Sequence, residues 1–84
     1  MKTFFLTFRS ITQAQRAERA FGKAGMACIL RRTPRWMEER GCGYSVQVRF
    51  DDISNCVMAL RGNKVPFRKV YLLRQNGTAE ELAL

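Results

Sequence analysis

The residues best suited to chemistry in this chain are Cys42 and the two glycines beside it, within the stretch Thr33–Gly43, TPRWMEERGCG. Gly41 and Gly43 leave both neighbours of the thiol without side chains, so a bulky reactant or partner can approach the sulfur. Arg35 and Arg40 place two permanent cations on the same connection. An exposed thiol in electropositive surroundings has a lowered pKa, and the thiolate is the nucleophilic form. Pro34 stops the preceding strand, because it fixes φ and has no N–H for a ladder. The pattern points to a reactive thiol.

Composition removes several other chemistries. The chain contains no histidine, which excludes histidine acid–base catalysis and any triad built on it. Its three cysteines, Cys28, Cys42 and Cys56, are isolated and make no four-ligand zinc site. No Gly-rich phosphate loop is present, and Glu38 and Glu39 are adjacent in sequence and so are not spaced as a catalytic pair. Cys42 has no partner to protonate a leaving group, which suits a carrier or redox thiol better than an enzyme.

The elements that must position the thiol are legible in order. Phe4, Leu6 and Phe8 alternate with Thr3, Phe5 and Thr7, a half-buried strand with one aromatic on the nominally wet side. Ser10 with Gln13 forms a capping box for a helix starting at Ile11, with Ala14, Ala17, Phe21 and Ala24 along one face and Gly25 as its stop. Met26–Arg31 reads as a second strand with Cys28 in the core. Tyr44, Val46, Val48 and Phe50 mark the buried side of a third strand. Asp51 or Asp52 caps a second helix that turns Ile53, Cys56, Val57 and Leu60 inward and ends at Gly62-Asn63. Pro66 precedes a last strand at Phe67–Leu73.

This order predicts an α+β fold, a ferredoxin-like βαββαβ sandwich with a four-stranded antiparallel sheet and two helices on one face. One domain is expected over residues 1–73. Residues 74–84 read as a polar tail, flexible or with one helical turn capped by Thr78 and Glu81. Trp36, the single tryptophan, is expected to cap the core.

Fifteen Lys and Arg against seven Asp and Glu give a net charge of +8. Such a balance attracts anions and acidic partners without specifying a fold. The cations are dispersed, and nucleic-acid binding is the second reading, carried by charge. The segment Arg40-Gly41-Cys42-Gly43-Tyr44 invites comparison with the third-strand motif of RNA-recognition modules, which needs aromatics on the open sheet face. Here Tyr44 shares its parity with the buried valines, so the phase is wrong for base stacking. Phe5 and Tyr71 could form a small open-face patch, which would equally serve a homodimer. The odd, unspaced cysteines, with no apolar leader or membrane-length run, suggest a reducing, cytoplasmic setting and no membrane.

Beyond these readings, the strand Phe4–Phe8 with its Ser-Ile-Thr turn, the Ala-rich helix ending Ala24-Gly25-Met26, and Pro34-Arg35 followed by Cys42-Gly43 resemble the selenium/sulfur carrier protein-like family, over residues 3–73. The resemblance implies that Cys42 is a carrier thiol, holding sulfur or selenium transiently as a persulfide or selenosulfide, with no resident cofactor. Arg35, Arg40 and Gly43 would support the anion, Pro34 and Gly41 would shape the loop, and acidic donor and acceptor proteins would dock on the basic surface. The chain departs from the family in carrying Glu38-Glu39-Arg40-Gly41 before Cys42, where small hydroxyl residues are usual.

Overall fold

The computed structural model describes residues 2–33 and 43–83. Within them the element order is β1 (Lys2–Phe8), α1 (Ile11–Lys23), β2 (Ala27–Arg32), β3 (Tyr44–Phe50), α2 (Ile53–Gly62), β4 (Val70–Leu73) and β5 (Ala79–Leu82). The strands form one antiparallel sheet in the order β2-β3-β1-β4-β5. The sheet therefore has five strands, not the four expected. The extra strand comes from the stretch 74–84 that reads as a polar tail, where the turn at Gly77 folds Ala79–Leu82 back onto β4. β4 would otherwise be a bare edge with unpaired backbone donors and acceptors, and β5 supplies their partners.

One face of the sheet carries the core. Phe4, Leu6 and Phe8 of β1 and Val46 and Val48 of β3 are buried with Ala14, Ala17 and Phe21 of α1 and Cys56 and Leu60 of α2. Both helices thus contribute to the same apolar cluster. The small alanines let α1 lie close on the strands, as the absence of bulk at those positions requires.

The caps act as their residue types dictate. The Ser10 hydroxyl accepts the Gln13 N–H at 3.2 Å, and Asp52, not Asp51, accepts the Ser54 N–H at 2.9 Å. Both helices end in a Schellman motif. In α1, Met26 N–H reaches the Phe21 carbonyl and Gly25 N–H the Gly22 carbonyl, with Gly25 left-handed at φ 76°. In α2, Val65 N–H reaches Leu60 and Lys64 N–H reaches Arg61. The left-handed residue there is Lys64, at φ 56°. The helix ends at Gly62 with Asn63 as its C-cap, where the sequence places its end.

β4, expected at Phe67–Leu73, begins three residues later, at Val70. Arg68 N–H donates to the Thr7 carbonyl and Lys69 N–H to the Thr7 hydroxyl, at 2.8 and 3.0 Å, so two residues face Thr7 and the regular ladder opens only at Val70.

Candidate functional site

Backbone pairing brings together the two ends of the connection that carries the candidate thiol. Arg31 lies against Ser45 and Arg32 against Tyr44 in the β2–β3 ladder. One step further, the Thr33 N–H donates to the Gly43 carbonyl at 3.0 Å. Of the candidate site residues, Gly43 lies at this neck, and an added Cβ there would meet no described atom within 4 Å. Pro34, Arg35, Arg40, Gly41 and Cys42, with Trp36, lie outside the described residues, so their predicted roles stay expectations.

The neck carries cations that the sequence reading passed over. Arg31 and Arg32 are both exposed at the end of β2. The Arg32 guanidinium carbon sits 5.5 Å from the centre of the Tyr44 ring, a cation–π contact. Alternation along a strand sends Arg31 and Arg32 to opposite faces of the sheet, so permanent positive charge stands on both sides of the neck. Fixed cations favour the ionised form of a nearby thiol. The signal is present in the run Arg31-Arg32-Thr33-Pro34-Arg35, where two further cations stand just ahead of Thr33.

Two buried hydroxyls lie beside the same neck. Thr33 is 7% exposed and Ser45 is fully buried, and among the described residues neither Thr33 Oγ1 nor Ser45 Oγ has a hydrogen-bond partner. Both alternate to the sheet face opposite the helices. A buried hydroxyl without a partner is unfavourable relative to an apolar group of the same shape.

The other two thiols are held in the protonated form. Cys56 is fully buried, and its S–H points to the Asp52 carbonyl at 3.8 Å. Burial, with the nearby Asp52 charge, pushes its pKa up to about 11, against a smaller opposing backbone hydrogen bond. Cys28 is half-buried against the helix layer, and its S–H points to the Glu18 carbonyl at 3.6 Å. Burial and then the negative charge of Glu18 push its pKa up as well. Neither is poised as a nucleophile.

The open face of the sheet confirms the phase argument against base stacking on β3. Tyr44 packs on the core side, while Ser45 occupies the opposite face. Phe5 points away from the helices yet is only 6% exposed, so it is not the wet aromatic its alternation suggests. Its cross-strand neighbours are Gln47 and Tyr71. The large exposed apolar side chain on this face is Ile29, at 53%.

Among the described residues, no helix is long and apolar enough to cross a membrane, and no group of three or more potential metal ligands occurs. A family model described as "Putative Se/S carrier protein-like" matches residues 3–72. No curated protein and no solved structure matches the chain.

Proposed function

The chain belongs to the Se/S carrier protein-like family, and from that premise we propose that it is a sulfur or selenium carrier whose working thiol is Cys42. The observation that carries this reading is the protonation state of the other two thiols. Cys28 and Cys56 are both pushed toward the neutral form by burial and neighbouring carboxylates. Cys42 is the remaining thiol, next in sequence to the neck where Arg31 and Arg32 are exposed.

The chemistry is a balanced exchange. The Cys42 thiolate attacks the terminal sulfur of a donor persulfide, R–S–S–H. The new S–S bond forms as the donor's own S–S bond breaks, and R–S⁻ leaves with the electron pair. No external oxidant or reductant enters, and the terminal proton stays on the transferred sulfur. A donor selenosulfide transfers selenium in the same way. Arg31 and Arg32, with Arg35 and Arg40, stabilise the anionic states before and after transfer. Gly41 and Gly43 leave room for the donor, and Pro34 ends β2 ahead of the loop. This is carriage rather than catalysis, in a reducing cytoplasm, with acidic donor and acceptor proteins drawn to the basic surface.

The scaffold reading goes with it. The order β2-β3-β1-β4, with α1 and α2 as the connections from β1 and β3, is read as ferredoxin-like with β5 added at one edge.

The test is intact-mass analysis after exposure to a small-molecule persulfide and, separately, to a small-molecule selenosulfide, R–S–SeH. The wild type is expected to gain the mass of one chalcogen atom, as are Cys28→Ser and Cys56→Ala, whereas Cys42→Ser gains none. Loading that survives Cys42→Ser defeats the assignment.

A further inference from the structure

The helix layer carries a feature that thiol chemistry does not use. Two depressions of about 240 Å³ each lie where α1 and the residues leading into it meet the segment 63–68. The first is lined by Arg16, Arg19, Lys23 and Asn63, and the second by Arg9, Gln13 and Arg68. No carboxylate lines either of them among the described residues. The acidic residue on the helix, Glu18, lines neither depression, and its charge acts on the Cys28 thiol of β2 instead. Glu80 and Glu81 are paired with Arg74 and Lys69 at the far edge of the sheet.

Two details shape the groove for an anion. The C-terminal end of α2 would present carbonyl oxygens and the negative end of its dipole. The Arg16 guanidinium covers them, donating to the Asn63 and Lys64 carbonyls at 3.3 and 3.2 Å. Lys64 itself sits in the left-handed conformation that glycine adopts most readily. That turn belongs to the Schellman motif that closes α2, and it presents the Lys64 carbonyl to Arg16.

We propose that this groove binds the phosphate backbone of a nucleic acid strand. The argument is charge complementarity together with what is missing. A protein partner's interface needs a central apolar anchor, whereas the apolar lining here is buried Ala20 and Val65, small exposed Pro66 and half-buried Phe67. A phosphate backbone needs cations alone and is held without base readout. The thirteen-residue α1 is about 20 Å long, enough for several successive phosphates. The groove also opens at Arg9, directly after Phe8, and Phe8 pairs with Tyr44 beside the neck. A strand lying in it therefore ends at the edge of the sheet from which the Cys42 connection leaves.

The experiment is fluorescence anisotropy with a labelled oligouridylate of about twenty nucleotides, titrated at several KCl concentrations. Binding is expected to weaken with salt, with a log–log slope of about −2 to −3, since each neutralised phosphate of a single strand contributes about −0.7. The triple variant Arg19→Glu, Lys23→Glu, Arg68→Glu is expected to lose at least about tenfold in affinity. The triple variant Lys2→Glu, Arg31→Glu, Arg49→Glu makes the same change in net charge on the strands and is expected to lose much less. Cys42→Ser is expected to bind as the wild type does, so failure here is separable from failure of the carrier reading. The proposal is overturned by absence of binding at low salt, by equal losses in the two triple variants, or by poly-glutamate displacing the oligonucleotide as well as unlabelled oligonucleotide does.

Discussion

The Thr33 N–H donates to the Gly43 carbonyl at 3.0 Å, one residue beyond the last paired residues of β2 and β3. This bond sets the width of the neck from which the Cys42 connection leaves. It also places the Thr33 side chain on the same sheet face as Ser45, and the two buried hydroxyls there have no partners among the described residues.

That juxtaposition makes a stability prediction. Thr33→Val keeps the shape and the backbone bond while removing the orphan hydroxyl, and Ser45→Ala does the same in β3. Each is expected to stabilise the fold by about 1 kcal/mol. Urea denaturation of the two variants checks it, and a destabilisation in both would show that these hydroxyls are satisfied in solution.

The two Schellman motifs predict opposite responses to opposite substitutions. Gly25→Ala puts a Cβ on a left-handed residue and is expected to cost about 1 kcal/mol, whereas Lys64→Gly removes one and is expected to gain a similar amount. Thermal melting of both variants reads the difference directly. Asp52→Ala, which removes the α2 cap, is expected to cost about 1 kcal/mol in the same assay.

The pH dependence of stability carries a signature of Cys56. Its pKa rises from an ordinary 9.0 to about 11 on folding, so the folded state binds the proton more tightly. Below pH 9 both states are protonated and nothing changes. Between about pH 9 and 11 the unfolded thiol ionises while the folded one does not, and stability falls, by linkage, on the order of 2 kcal/mol. Denaturation at stepped pH should show this decline in the wild type and a shallower one in Cys56→Ala. Alkylation with iodoacetamide should likewise leave Cys56 unmodified in the native protein at neutral pH.

The fifth strand gives a truncation test. Leu82 packs against the core and β5 pairs with β4 from Val70 to Leu73. Ending the chain after Arg74 is expected to lower stability by about 2 kcal/mol or more, through lost burial and a newly bare edge. The ion pairs Lys69–Glu81 and Arg74–Glu80 are exposed and add little. A dispensable tail would leave the denaturation midpoint unchanged.

What the sequence by itself determined is the part governed by local periodicity and capping. The alternation of Phe4, Leu6 and Phe8 and of Tyr44, Val46 and Val48 set which strand faces meet the helices. Ser10 and Asp52 set where the helices begin, and the spacing of Cys56 and Leu60 turned the Cys56 thiol inward. Tertiary structure decided what depends on a partner distant in the chain. The residues Ala79–Leu82, Ala-Glu-Glu-Leu, carry no strand signal of their own and become β5 because β4 offers an edge whose donors and acceptors need pairing. The end of α2 at Gly62-Asn63 was legible, but the left-handed residue after it is Lys64, because burying Val65 against Leu60 fixes the exit of the chain. Arg16 and Lys64 are forty-eight residues apart, and no local pattern could show that their bond lines a basic groove. Periodicity acts over a few residues, whereas an edge, a neck and a groove exist only where separate segments are brought side by side.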